Sequence, residues 1–220
     1  MKWSTNGFEV LPNTLSYDHT IMLVSELAEI MEKDDYRTIK NKGNVAVKIT
    51  SEHDHEIVCL DFYSLPIFNS VAMMLIEKIE SIVKTRVTFT YSYARFYTRG
   101  NSLLKHTDRR SCEYSITLNL FSTHDWDIFL NDTPVNLKQG DALLYAGSDL
   151  SHYRNVFEGD LCAQVFFHYV NPDGPHRDFC PGIGFNDGMF PSSFNIDDIL
   201  ELIDKTKNTV KLKDSLGVLL

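Results

Sequence analysis

Three triplets in this chain place histidine two residues from an aspartate or a second histidine: His53-Asp54-His55, His106-Thr107-Asp108 and His176-Arg177-Asp178. Imidazole and carboxylate suit first-row transition metals. Two histidines and one carboxylate on one side of a cation leave its other side open for chemistry. A triplet supplies only two of those donors, so the third must come from elsewhere in the chain. His176 is the last histidine, so its triplet has no downstream partner, and it lies in a Pro- and Gly-rich stretch where a rigid site is hard to hold. His53 and His55 belong to the acidic run SEHDHE, which reads most simply as a solvated loop.

For the triplet at 106–108, the upstream segment RVTFTYSYARFY reads as a strand ending near Tyr97, and a further strand starts at Glu113. His124, His152, His168 and His176 are the downstream histidines that could give the third donor. His124 sits in the loop-like STHDWD. His168 lies in the apolar run QVFFHYV, where a satisfied core histidine is the plainer reading. His152 has the best context, since it opens SHYRNVF directly after the turn AGSD.

The elements that must position these residues follow from periodicity. Ile21, Val24, Leu27, Ala28 and Met31 share one face of a helix from Ser16 to about Met31, with Ser16 and Asp18 as candidate caps. A second amphipathic helix is expected from about Phe68 to Lys84, with Val71, Met74, Leu75, Ile79 and Ile82 inward. NVAVKI and EIVCLDFY read as strands between the two. From Arg86 onward, short segments rich in β-branched and aromatic residues (EYSITLNLF, WDIFL, DALLYAG, SHYRNVF, CAQVFFHYV) alternate with turn-like NDTP and KQGD. Many short strands at close spacing predict an antiparallel barrel, sandwich or jelly roll. Residues 171–193 read as a long irregular loop able to cover the barrel mouth through Phe179, Phe185 and Phe190, and a last helix is expected from about Ile196 to Lys207. The class is α+β, with helices packed on a sheet face and no linker dividing the chain.

Composition sets broad limits. The chain has 220 residues, 43% hydrophobic and 12% aromatic, enough for a sizeable core. A net charge of −9 with no long basic run gives no nucleic-acid signature. Cys59, Cys112, Cys162 and Cys180 lie far apart without a CxxC pair, as expected for reduced thiols. The first residues lack the apolar core of a secretory signal, and no run of about 20 apolar residues could span a membrane. The expectation is a cytoplasmic protein with no membrane partner.

RFYTRGNSLLKHTD resembles the approach to the metal site in Fe(II)- and 2-oxoglutarate-dependent dioxygenases of the prolyl-4-hydroxylase-like branch. That branch shows a pattern close to R-Y-x-x-G-x-x-x-x-x-H-x-D; here Tyr97 and Gly100 take the tyrosine and glycine positions. The segment GDALLYAGSDLSHYRNVFEGDLCAQVFFHYV is similar to the family's distal half, and FEVLPNTLSYDHTIMLVSEL to its opening strand and helix, so the resemblance spans roughly residues 8–170.

The resemblance implies a double-stranded β-helix (jelly-roll) core over about 86–170, flanked by N-terminal helices and by a C-terminal loop and helix at 171–220, as one domain of 1–220. It implies Fe(II) held by His106, Asp108 and His152, with 2-oxoglutarate and O2 as cosubstrates and ascorbate as a candidate auxiliary. The activity implied is oxidative decarboxylation of 2-oxoglutarate coupled to hydroxylation of an acceptor, a peptidyl (prolyl) side chain or a small molecule. Relatives place a basic residue for the distal carboxylate of 2-oxoglutarate nine or ten residues after the distal histidine. Leu161 and Cys162 stand there in this chain. The expected substitute is Arg154, on the same strand face as His152 by alternation, with Arg95 as the second choice and Tyr97 as a hydroxyl donor. The alternative is a cupin-like metalloprotein, an isomerase or dioxygenase that does not use 2-oxoglutarate.

Overall fold

The computed structural model describes residues 3–33, 45–52 and 55–180. The expected C-terminal helix, Phe185, Phe190 and His53 lie outside the described residues. Four α-helices are found among them: α1 (Trp3–Asn6), α2 (Tyr17–Lys33), α3 (Pro66–Met74) and α4 (Ile76–Val83). Eleven strands complete the fold: β1 (Phe8–Leu11), β2 (Val45–Glu52), β3 (His55–Tyr63), β4 (Thr88–Thr98), β5 (Leu103–His106), β6 (Tyr114–Ser122), β7 (Ile128–Leu130), β8 (Thr133–Val135), β9 (Ala142–Tyr145), β10 (His152–Arg154) and β11 (Leu161–Val170).

The strands form a seven-stranded sheet, β1-β9-β6-β11-β4-β3-β2, and a four-stranded sheet, β5-β10-β7-β8, and every pairing is antiparallel. This is the α+β jelly roll expected, with the large sheet extended beyond residues 86–170 by β1 at one edge and by β2 and β3 at the other. Among the described residues no helix is long and apolar enough to cross a membrane.

Alternation along the large sheet separates two cores. One face carries Phe62, Phe96, Ile116, Leu118, Leu144, Val165 and Phe167, and packs on Leu23, Val24 and Leu27 of α2, Phe68 and Ala72 of α3 and Ile79 of α4. The other face looks across at the small sheet. There Phe8, Leu143 and Tyr145 meet Ile128, Leu130, Val135 and Leu137, while Tyr97, Cys162 and Phe166 meet Trp126 and Phe157. With helices on one side and a second sheet on the other, β11 is buried at all ten positions. Helix α2 begins as expected, with the Ser16 hydroxyl accepting from the His19 N–H at 3.3 Å.

Two expectations are corrected. The helix over 68–84 is interrupted at Leu75, whose N–H turns back to Ala72 O at 3.2 Å, so the faces of α3 and α4 are not in phase. Met74, expected inside, is therefore 82% exposed at the break. NDTP is not wholly a turn. Asn131 and Asp132, at φ 43° and 65°, make a two-residue hairpin bend of the kind that matches strand twist, and Thr133 already begins β8.

Candidate metal centre

Strand β5 was not anticipated, and it makes the site possible. It pairs with β10 so that His106 and His152 stand directly opposite each other, with a register shift between His152 and Arg154. Their rings lie 4.4 Å apart. Just past β5, the Asp108 N–H bonds to Gly147 O at 2.8 Å, which turns the carboxylate back toward the two rings. Asp108 Oδ1 lies 3.6 Å from His106 Nε2 and 3.5 Å from His152 Nε2. The three donor atoms all fall within 4.8 Å of one another.

Both rings have a fixed tautomer. His106 Nδ1 lies 2.7 Å from Leu104 O and His152 Nδ1 lies 2.9 Å from Leu150 O. A carbonyl only accepts, so each Nδ1 carries the proton and each Nε2 presents its lone pair inward, as metal-bound histidines do. Two lone pairs and an ionised carboxylate thus converge on one point. That donor set fits a divalent transition cation. The site is half open: the His106 side chain is 39% exposed and that of His152 3%.

The glycine of the approach has a backbone reason. Gly100 sits at φ 93° with no atom near its missing Cβ, so the conformation rather than crowding requires glycine there. Its N–H bonds Phe157 O at 2.9 Å, and the chain can then run into β5.

Arg154 and Arg95 are both buried, but their environments differ. Arg95 is engaged by Asp61 through two hydrogen bonds, the second from Nη2 to Oδ2 at 2.6 Å, in register across β3 and β4. Its charge is already matched by Asp61, an arrangement that serves the fold. Arg154 shares the buried face of β10 with His152, while Tyr153 between them stacks outward on Phe129. The Arg154 guanidinium donates to Trp126 O and, at 3.1 Å, to Gln164 Oε1, and lies 4.7 Å from the Trp126 ring. No carboxylate among the described residues forms an ion pair with it, and burial pulls its pKa down. Tyr97, 2% exposed, meets Trp126 edge to face at 4.9 Å and closes this end of the barrel with Phe157 and Phe166.

Of the other histidines, His168 alone joins a metal-like cluster among the described residues, with Asp108 and Cys112. His124 is half exposed, 3.9 Å from Glu158. His176 and Asp178 join no metal-like cluster among the described residues. His168 is a core residue, as read, but it also reaches the site. Its Nδ1 is 3.0 Å from Ser115 Oγ, which donates at 3.0 Å to Asp108 Oδ2. Burial, partly offset by Asp108, pushes His168 down to about 4, so the ring is neutral. Sequence reading missed Ser115 and Gly147. The signal lies in register, which sets Ser115 opposite both His168 and Tyr145, and not in local spacing.

No family model and no curated protein matches the chain. Solved structures do. The non-heme alpha-ketoglutarate-dependent epimerase SnoN from nogalamycin biosynthesis aligns at TM-score 0.61 and 9% identity, over 84% of this chain and 89% of that one. HygX from Streptomyces hygroscopicus, with nickel, 2-oxoglutarate and hygromycin B bound, aligns at 0.55 and 12%, over 77% and 84%. The viral collagen prolyl hydroxylase of Paramecium bursaria Chlorella virus-1 aligns at 0.52 and 12%, over 76% and 97%. At these identities the likeness is one of fold: the chain has the jelly-roll fold of the 2-oxoglutarate–Fe(II) oxygenases.

Proposed function

We propose that this chain is an Fe(II)- and 2-oxoglutarate-dependent oxygenase, with His106, Asp108 and His152 as the iron ligands and Arg154 as the anchor for the distal carboxylate of 2-oxoglutarate. The observation that carries the reading is the pairing of a metal donor set and a buried cation on one strand face. At His152 three metal donors converge, and two residues further along β10 lies a buried guanidinium that forms no ion pair with a carboxylate among the described residues. That separation is roughly 7 Å in a strand. A dicarboxylate with a metal-chelating keto acid at one end completes both. A buried cation within the barrel also favours this reading over a cupin-like protein that does not use 2-oxoglutarate, since the missing base at 161 and 162 is supplied from another strand.

When bound, iron and 2-oxoglutarate supply the oxidation of an acceptor by O2, with succinate and carbon dioxide as co-products. The protein's own part is placement. Fixed Nδ1 protons aim both imidazoles, and the Gly147 carbonyl aims Asp108. Arg154, held flat by Trp126 and Gln164, offers its remaining N–H groups to a carboxylate. Tyr97 stands beside it as the second polar group of an otherwise aromatic wall that excludes water. Arg95 leaves the cosubstrate set, because Asp61 occupies it.

For the acceptor, the Tyr97–Gly100 approach supports a peptidyl, prolyl side chain. The hygromycin B bound to HygX supports a small molecule as the second reading. The reaction class is tested first, because succinate forms from 2-oxoglutarate whatever the acceptor is. Protein supplied with Fe(II), ascorbate, O2 and 2-oxoglutarate is expected to release succinate above a protein-free blank, and His106→Ala to fall to that blank. Equal succinate from wild type and variant would place the turnover elsewhere.

A further inference from the structure

Asp108 is held by a second set of contacts on the side away from the imidazoles. Ser115, fully buried on β6, places Oγ 3.0 Å from Asp108 Oδ2 and 3.0 Å from His168 Nδ1. A hydroxyl has one hydrogen. The ionised carboxylate only accepts, and a hydrogen bond to a charged acceptor is about twice as strong as one between neutral groups, so that hydrogen goes to Oδ2. His168 must then donate Nδ1–H to the serine oxygen. The chain of bonds runs one way, His168 to Ser115 to Asp108.

Its far end is costly. His168 Nε2 is left as a buried acceptor with no hydrogen-bond partner among the described residues, pressed between aromatic rings with Tyr91 at 4.5 Å and Tyr93 at 5.8 Å. An apolar side chain there would be free of that penalty. The near end is tightly built. A Cβ on Gly147 would lie 2.4 Å from Ser115 Oγ, 2.5 Å from Asp108 Oδ2 and 2.6 Å from Cys112 O, so the backbone closes around the carboxylate at the point where Ser115 meets it. Oδ1 faces the two imidazole nitrogens and Oδ2 faces the serine.

We propose that Ser115 and His168 are positioning residues that keep Asp108 a one-oxygen ligand. By occupying Oδ2 they stop the carboxylate from chelating the cation with both oxygens and filling a coordination position that the cosubstrate needs. The inference rests on the metal-centre reading above. It adds that the openness of the centre is set from β6 and β11, by two residues that do not touch the metal.

The test uses Co(II), whose visible absorption reports coordination number, followed by 2-oxoglutarate titrated into the Co(II)-loaded protein without turnover. Ser115→Ala removes the donor, and Ser115→Cys keeps the branching with a slightly larger atom and a much weaker donor. Each is expected to change the Co(II) spectrum and to lower the affinity for 2-oxoglutarate by about 10- to 100-fold, the usual scale for losing a group that orients a ligand. His168→Leu shifts the same readouts in the same direction, and His168→Gln, which retains an N–H for the serine, restores them. If Ser115→Ala fails to fold, Ser115→Cys carries the comparison. Serine variants with the wild-type spectrum and 2-oxoglutarate affinity overturn this inference alone. Wild type that binds no Co(II) overturns the metal-centre reading and this inference with it.

Discussion

Arg154→Met is expected to weaken 2-oxoglutarate binding by roughly 30-fold to several thousand-fold, with metal affinity unchanged. The range is the 2–5 kcal/mol typical of truncating one partner of a buried charge pair, at about 1.4 kcal/mol per tenfold. Methionine keeps reach and volume and removes the charge. The hydrogen bonds of Arg154 go to Trp126 and Gln164 and none to His106, Asp108 or His152, so the metal donors keep their places. The two acceptors left behind cost roughly 1–3 kcal/mol each, offset in part because a buried unpaired charge leaves with the guanidinium. Calorimetry with metal and then 2-oxoglutarate separates the two affinities. If both match wild type, Arg154 is not the anchor.

Asp61→Ala has the largest expected effect on stability. Asp61 is fully buried, takes two hydrogen bonds from Arg95 and a third at 3.2 Å from the Tyr63 hydroxyl. Its removal leaves a guanidinium buried without a counter-charge, a loss of about 3–5 kcal/mol. For a chain of this size that lowers the thermal midpoint by roughly 6–20 °C. The double variant Asp61→Leu with Arg95→Met is expected to regain much of the loss, since a matched apolar pair avoids the desolvation of both charges. A midpoint for Asp61→Ala within 2 °C of wild type would show that Arg95 reaches solvent and that the pair is not a structural clamp. The result also bears on the site. A fold that depends on Arg95–Asp61 cannot spare Arg95 for a substrate carboxylate.

What could be read before the fold was known follows from the range over which each signal acts. Helix α2 announces itself within four residues at a time, through its cap at Ser16 and its apolar stripe, and it was placed to within two residues at each end. The break at Leu75 was invisible, because the apolar pattern runs on through it with neither proline nor glycine to mark it. Strands β7 and β10 can be read in WDIFL and SHYRNVF, but β5 and β8, of four and three residues, are too short to show a period of two. The pairing partner of β5, β10, lies tens of residues away. The triad was nonetheless legible, since His106 and Asp108 are neighbours and His152 opens its strand. Choosing between Arg154 and Arg95 was not, because the deciding residue, Asp61, lies 34 positions from Arg95 and faces it through strand register alone. Ser115, Gly147 and His168 meet Asp108 in the same non-local way, from β6, the segment after β9, and β11.

The most direct test of the whole account is a calorimetric titration of 2-oxoglutarate into the protein without O2, once with Fe(II) loaded and once with the metal removed. Saturable binding that requires the metal, and that is lost in Arg154→Met, is the expected result. Metal-loaded protein that takes up no 2-oxoglutarate would contradict it.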